Sequence, residues 1–302
     1  MAATEDAAWR RFAAVGGRCS WTLKALVSPP VEALRQIEAW PAEHAAAGVA
    51  TADVVIAQHG AVDHRLGWGS VTKLLVAHAT LVAAEEGALD LDEPAGPEGS
   101  TVRHLLAHAS GLSWDGPKPI GKPGERRIYS NTGYLALAEH LERRAEMPFP
   151  DYLRAAVLEP LGLDATLDGD AAGGIVGTLG DMLAFGREAL APTLIAPETL
   201  TEATSVQFAG LDGVLPGFGR QTPNDWGLGF ELRDRKSPHW TGSRNSERTY
   251  GHFGSKPGTA TFLWIDPERR LVAAAVADES FGAWAASAWP TLSDALLEEV
   301  EQ

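Results

Sequence analysis

The sequence predicts an α+β fold. Both chain ends contribute strands to one antiparallel sheet, helices flank it, and a mainly helical subdomain is inserted between them. Three observations predict it. Asp53-Val54-Val55-Ile56-Ala57-Gln58 is a short β-rich run near the start. Three further strand signals crowd together from Tyr250 onward. Between these ends the apolar spacing is almost entirely helical. On this pattern the chain divides into an N-terminal extension, residues 1–28, and one domain, residues 29–302. Within the domain, about 29–68 and 240–302 form an α/β part and about 69–239 a helical part.

Residues 1–28 show little periodicity, and Ser28-Pro29-Pro30 ends them. Val31 to Trp40 has the spacing of an amphipathic helix that Pro41 stops. After the run at 53–58, His59-Gly60 is a turn signal, so Ala61 to Leu66 is expected as a return strand. Gly67-Trp68-Gly69-Ser70-Val71-Thr72-Lys73 turns from loop into helix. That helix runs on through Leu74, Leu75, Ala77, Leu81 and Ala84 and stops at Gly87, a residue suited to the position after a helix.

Ser100-Thr101-Val102-Arg103 opens another helix, which carries His104 and His108. Two histidines at i, i+4 can bind zinc, but the glutamate that follows the first one in a zinc protease is missing. They read as structural, and no metal is expected. Residues 115–128 are a surface loop of Gly, Pro and Lys. Tyr129-Ser130-Asn131 stands directly before a helix from Thr132 to Ala145, which Asn131 is suited to cap. Pro150 to Leu158 and Leu179 to Ala189 are further helices, the second introduced by Gly173-Gly174-Ile175-Val176. Residues 196–235 mix short helix and loop signals. Tyr250 to Gly254, Thr259 to Ile265 and Leu271 to Ala277 are strands, and a final helix from about Ala283 to Val300 contains Pro290 as a potential kink.

Composition narrows the function. The chain has 302 residues, 45% hydrophobic and 22% charged, which is enough apolar sequence for a sizeable core. A net charge of -15 argues against nucleic acid and against anionic membrane surfaces. One cysteine, Cys19, excludes an internal disulfide framework. No positively charged leader with an apolar core opens the chain, and no apolar run reaches about 18 residues, so the expected location is the cytoplasm.

Chemistry concentrates at Ser70 and Lys73. Residues three apart on a helix share a face, so the hydroxyl and the amine point into the same space. A serine hydroxyl is a weak nucleophile until a neighbour takes its proton. A desolvated lysine with a lowered pKa can be that neighbour. Backbone N–H groups at the helix start can face an oxyanion. Alone, Ser-x-x-Lys is a short and common spacing. Its company gives it meaning: Tyr129-x-Asn131, then His252-x-Gly254 on a strand followed by Ser255-Lys256-Pro257-Gly258.

With Leu105-Leu106-Ala107-His108-Ala109-Ser110-Gly111-Leu112 and the Gly173-Gly174 pair in support, this set resembles the serine β-lactamase and penicillin-binding-protein superfamily. Within it, the chain is similar to the class C β-lactamase-related branch, which includes family VIII esterases and D-amino-acid peptidases. The resemblance covers roughly residues 35–300. It implies the β-lactamase/transpeptidase-like fold. It implies that Ser70 is the acylated nucleophile and that Lys73 holds or relays its proton. Tyr129, paired with Lys73, would be general base for attack and general acid for the leaving group. A lysine ammonium beside the phenol would favour phenolate. Asn131 would orient Lys73 and offer its amide to the substrate. The strand carrying His252 and Gly254 would line the opposite wall, and the N–H groups of Ser70 and Ser255 would form the oxyanion hole. No cofactor or metal is implied.

One departure bears on substrate. The third element is His252-Phe253-Gly254, where the family's common form is Lys-Thr-Gly. Phe253 has no hydroxyl and an ordinary histidine is mostly neutral at pH 7, so the grip on a carboxylate weakens. The expected activity is hydrolysis of small esters, less readily amides, through an acyl-enzyme, with poor β-lactamase activity. A D-amino-acid peptidase and a protein that is acylated without turnover are the alternatives. No Gly-x-Ser-x-Gly elbow and no phosphate loop occurs. Trp114, Trp226 and Trp240 are candidate walls of the acyl pocket, and Arg244 and Asn245 candidate cleft residues. The expected partner is a small-molecule ester or amide, and the oligomeric state is open.

Overall fold

The computed structural model describes residues 31–116 and 118–300. The extension read at 1–28, and Cys19 with it, lie outside the described residues. In chain order the strands are β1 (Ala45–Ala50), β2 (Val55–Gly60), β3 (Leu66–Gly67), β4 (Thr166–Leu167), β5 (Ile175–Gly177), β6 (Gly213–Leu215), β7 (Gly219–Gln221), β8 (Glu231–Leu232), β9 (Tyr250–Lys256), β10 (Thr259–Asp266) and β11 (Leu271–Ala277). The α-helices are α1 (Thr72–Glu85), α2 (Val102–Leu106), α3 (Asn131–Ala145), α4 (Phe149–Leu153), α5 (Leu179–Leu190), α6 (Pro197–Ala203) and α7 (Ala283–Val300). A 3₁₀ helix, Glu32–Ala39, precedes them.

The main sheet runs β2-β1-β11-β10-β9-β8, antiparallel throughout. Both chain ends supply it, as the strand signals predict. Its central strands are buried on both faces, and their side chains alternate between two cores. Val272, Ala274 and Val276 of β11 join the core containing α1 and α5. Leu271, Ala273, Ala275 and Ala277 join the other, built around Trp289, Leu292, Leu296 and Leu297 of α7 with Leu34 and Ile37 of the 3₁₀ helix. α7 continues through Pro290.

The first hairpin differs from the expected one. The signal at 53–58 belongs to β2, but its partner precedes it. β1 reads Ala45-Ala46-Ala47-Gly48-Val49-Ala50, a composition with almost no strand preference. The turn lies at 51–54, where Thr51 Oγ1 accepts from the N–H groups of Asp53 at 3.3 Å and Val54 at 3.2 Å. His59-Gly60 ends β2, and the expected return strand shrinks to β3. Packing demands the small residues of β1. A Cβ on Gly48 would lie 2.8 Å from Leu183 Cδ1 of α5 and 3.1 Å from the Ala57 carbonyl oxygen. Gly48→Ala should therefore cost about 1–3 kcal/mol of stability by overpacking. Urea denaturation measures it, and an unchanged midpoint would mean that α5 can retreat.

α5 comes from the stretch read as helical subdomain, yet it packs on β1, β10 and β11. Its start is fixed by a capping box: Asp181 N–H donates to Thr178 Oγ1 at 3.1 Å and Thr178 N–H to Asp181 Oδ2 at 2.9 Å. α1 has buried residues on every side, including Lys73, and is the rigid post on which the site is built. Among the described residues no helix is long and apolar enough to cross a membrane.

Candidate active site

Ser70 sits in a single 3₁₀ turn, Gly69–Val71, that feeds directly into α1. Two glycines bring β9 against this turn. Gly69 has φ +51°, and a Cβ there would stand 2.9 Å from the backbone nitrogen of Ser255. A Cβ on Gly254 would overlap the Trp68 carbonyl oxygen. That same carbonyl accepts from Thr261 Oγ1 of β10 at 2.8 Å. The turn that carries Ser70 is thus pinned to the sheet, with Ser70 and Ser255 both lining one pocket.

Lys73 is wholly buried in the first turn of α1. Its Nζ lies 3.1 Å from Ser70 Oγ, 2.8 Å from Asn131 Oδ1 and 2.7 Å from the Ala172 carbonyl oxygen. The turn around Gly173-Gly174 explains the last contact: Asp170 Oδ1 accepts from the N–H groups of Ala172 at 2.9 Å and Gly173 at 3.0 Å, which sets the Ala172 carbonyl. Burial pushes the Lys73 amine down to about 7, against the pull of Asp170 and Asp115. Asn131 is the first helical residue of α3. The cap is Ser130, whose Oγ accepts from Gly133 N–H at 2.9 Å. This frees the Asn131 side chain, which accepts from Lys73 and donates from Nδ2 to Asp115 Oδ1 at 2.9 Å.

Tyr129 and His252 close the other side. The Tyr129 hydroxyl lies 3.3 Å from His252 Nε2. His252 Nδ1 lies 2.6 Å from the Phe253 carbonyl oxygen and must donate to it. In the neutral ring Nε2 then carries the lone pair, so the phenol donates to the imidazole. Burial, reinforced by Lys73, pushes His252 down to about 3. Burial also pushes the Tyr129 phenol above its usual range, and a hydrogen bond with Ser70 offsets only part of this. The expected phenolate is therefore disfavoured: near neutral pH the proton stays on Tyr129, and the amine of Lys73 is the group that titrates.

The pocket beside Ser70 has a volume of about 210 Å³. Its walls include Tyr129, Trp226, His252, Phe253 and Phe281, with Trp114 at its mouth. Trp240, read as a candidate wall, instead lies behind Phe253 and donates from Nε1 to Glu231 Oε2 at 2.9 Å. Arg244 and Asn245 turn to other partners: Arg244 pairs with Glu298 at 3.5 Å, and Asn245 Oδ1 accepts from Gly242 N–H at 2.9 Å.

Three site features escape a reading of the sequence alone. Glu231 lines the pocket with its carboxylate held by Lys236, by His239 at 2.8 Å and by Trp240. Burial alone would raise its pKa, but His239 and Lys236 outweigh it and hold the carboxyl at about 2. The available signal was an acid set between Phe230 and Leu232 in an apolar run. His108 is not merely a helix histidine. It leaves α2 at φ +54°, and its ring lies 4.3 Å from that of Tyr129. Ser130 N–H donates to its Nδ1 at 3.1 Å. His104 turns the other way, 2.9 Å from Thr101 Oγ1. Among the described residues the only group with metal-like spacing is Glu43, His44 and Asp278, and it contains neither. The third missed feature is the Ala172 carbonyl, which no side-chain pattern reveals.

This geometry can be set beside known proteins. The family model described as beta-lactamase matches residues 35–167 and 164–296. The chain belongs to the beta-lactamase family. It is similar to a beta-lactamase from Mycobacterium bovis of known structure, 49% identical, with a TM-score of 0.86 over 88% of this chain and 98% of that one. Penicillin-binding protein 4* of Bacillus subtilis is 28% identical over 130 residues, 32% of this chain and 29% of that protein's length. The D-amino acid amidase of Ochrobactrum anthropi shares the fold, with a TM-score of 0.71 at 18% identity over 89% of this chain and 96% of that one. The protein is a hydrolase of the beta-lactamase family, with an antiparallel sheet flanked by helices.

Proposed function

We propose that this beta-lactamase-family hydrolase cleaves small esters through an acyl-enzyme on Ser70. The single observation that carries the reading is Lys73: fully buried, 3.1 Å from Ser70 Oγ, and pushed down to about 7. A buried amine that is neutral near pH 7 can take the serine proton as the Oγ–acyl bond forms. The N–H groups of Ser70 and Ser255 receive the oxyanion. Tyr129 gives its proton to the leaving oxygen as the old ester bond breaks, and the Lys73 ammonium restores it. Water then attacks the acyl-enzyme, its proton passes to the same pair, and Ser70 regains its hydrogen as the acid leaves.

The third motif supports ester over β-lactam. His252 is neutral, and its Nε2 is engaged by Tyr129, so it offers neither charge nor a free donor to a substrate carboxylate. Phe253 turns its ring into a cluster with Phe218, Phe281 and Trp289. Losing a charge-assisted hydrogen bond of this kind weakens recognition by up to about a hundredfold. The decisive experiment compares short-chain para-nitrophenyl esters with benzylpenicillin, following turnover and intact mass. Steady ester turnover with a transient acyl mass, and kcat/KM about a hundredfold above that for penicillin, is the expected result. A stable adduct without turnover would favour the acylated-sensor alternative. Equal turnover of penicillin would sink the reading of the third motif.

A further inference from the structure

A second concavity opens next to the Ser70 pocket and shares Trp114, Tyr129 and Pro216 with it. Its volume is about 550 Å³, more than twice that of the first. The loop of residues 118–128 forms one wall and the β6–β7 hairpin the other, joined where Arg127 N–H donates to the Asp212 carbonyl at 2.9 Å. Two of its properties are unusual for this protein.

The first is exposed apolar surface. Trp114, Ile120 and Val214 are 46%, 56% and 60% exposed, and all three line this groove. Only four other large apolar side chains are comparably exposed among the described residues. Scattered exposed apolar residues need no explanation, but convergence in one concavity marks a binding surface.

The second is charge. On a chain of net charge -15, residues 118–127 carry Lys118, Lys122, Arg126 and Arg127 against Glu125 alone. The groove itself is lined by Arg126, Arg127 and Arg220 against one carboxylate, Asp212. Arg127 is spent on backbone carbonyls, among them Gln207 at 2.7 Å and Asn224 at 3.0 Å. Arg126 and Arg220 stand at the surface. Arg126 donates to the Ile120 carbonyl at 2.8 Å, and Arg220 to Asp212 at 2.9 Å. Each guanidinium carries five N–H donors, so these contacts leave most of them available to an anion. Carboxylates neighbour Lys73 instead: Asp115 accepts from Asn131, and Asp170 and Asp115 both act on the amine. Arginines thus line the groove that shares Tyr129, while the carboxylates near the site act on Lys73.

We infer that this groove is the leaving-group site, and that it selects esters whose leaving alcohol is an apolar, arene-sized group ending in an anion. The inference rests on the reading of Tyr129 as proton donor to the leaving oxygen, which puts the leaving group on the Tyr129 side. An aromatic ring seated on Trp114, Ile120 and Val214 would carry a carboxylate toward Arg126 and Arg220. The anion would be recognised about the leaving group, away from the third motif, which has lost its cation.

The test uses two esters with the same acetyl group, para-acetoxyphenylpropanoate and its uncharged propanamide. Each rate is expressed relative to para-nitrophenyl acetate, whose leaving group carries no carboxylate. In both, the carbonyl–aryl-oxygen bond breaks and the phenol leaves. The propanoate should be favoured about fivefold in kcat/KM at low salt. The preference should collapse to parity at high salt and in the exposed double variant Arg126→Gln/Arg220→Gln. Parity in the unmodified protein, with Ser70-dependent turnover intact, overturns the groove assignment and leaves the hydrolase reading standing. If no ester is turned over, the hydrolase reading fails, and calorimetric titration of para-hydroxyphenylpropanoate against its amide decides the groove. Arginine-dependent preference for the acid then supports it, and equal or undetectable binding overturns it.

Discussion

Ser70→Ala, Lys73→Met and the double variant should each lower kcat/KM for a para-nitrophenyl ester by roughly 10⁴-fold, and to a common floor. The equality is the informative part. If Lys73 acts only by taking the proton of Ser70, removing either member removes the whole event, and removing both costs nothing further. Met fills the volume of the lysine stem, so the packing around α1 survives, and thermal melting checks that it does. The pH profile gives a second readout. Below about 7 the buried amine is an ammonium and cannot accept a proton; above it the free base is present. Activity in the unmodified protein should therefore rise as pH increases through about 7 and then level. The upper limb lies far away, because burial holds the phenol of Tyr129 above its usual range. A profile that is flat from about pH 5.5 to 8.5 would remove Lys73 as the acceptor. Additive losses in the double variant would do the same.

What was legible in the sequence follows from how each feature is encoded. β9, β10 and β11 announce themselves because Tyr250 to Ala277 is rich in β-branched and aromatic residues with a clear Asp266-Pro267 turn. β1 is silent because its alternation is written in alanine. The sheet needs small residues there, since α5 approaches closely enough for Leu183 to crowd Gly48. The order Ser70, Lys73, Tyr129, Asn131, His252 was readable because side-chain identity at fixed spacing carries it, and the structure brings these groups into one cluster. The cap expected at Asn131 is Ser130, one residue earlier, a distance that propensity cannot resolve but that releases Asn131 to hold Lys73. Protonation was the hardest to foresee. The phenolate expectation treats Lys73 and Tyr129 as an isolated pair, whereas burial acts on both and moves each toward its neutral form. Desolvation is a property of the assembled core, so no local pattern around either residue reveals it.

Tyr129→Phe should separate acid catalysis from positioning. The substitution removes one oxygen and keeps the ring, which packs at 4.3 Å from His108, 5.0 Å from Trp114 and 5.7 Å from Trp226. The cleft should therefore keep its shape. What disappears is the hydroxyl between Ser70 and His252 Nε2. A nitrophenolate leaves without needing a proton, while an alkoxide does not. The loss in kcat/KM should thus be modest for para-nitrophenyl acetate, about tenfold, and roughly 10³-fold for an alkyl acetate of similar size. That dependence on the leaving group is something a merely structural tyrosine cannot produce. Loss of packing or a shifted Ser70 would depress both substrates alike, and an equal loss would reassign Tyr129 to positioning. His252 offers a matched control, because its Nε2 faces this hydroxyl and its Nδ1 is taken by the Phe253 carbonyl. Accepting the phenol's proton, it holds the O–H away from the leaving oxygen in the resting site, so the hydroxyl must rotate from imidazole to substrate as the ester bond breaks. His252→Phe keeps a ring of similar size and removes the acceptor. It should therefore impair alkyl esters far less than Tyr129→Phe does. If His252→Phe instead shows the same loss as Tyr129→Phe, large for the alkyl ester and modest for the nitrophenyl ester, the imidazole is the proton donor's essential partner and Tyr129 does not act alone.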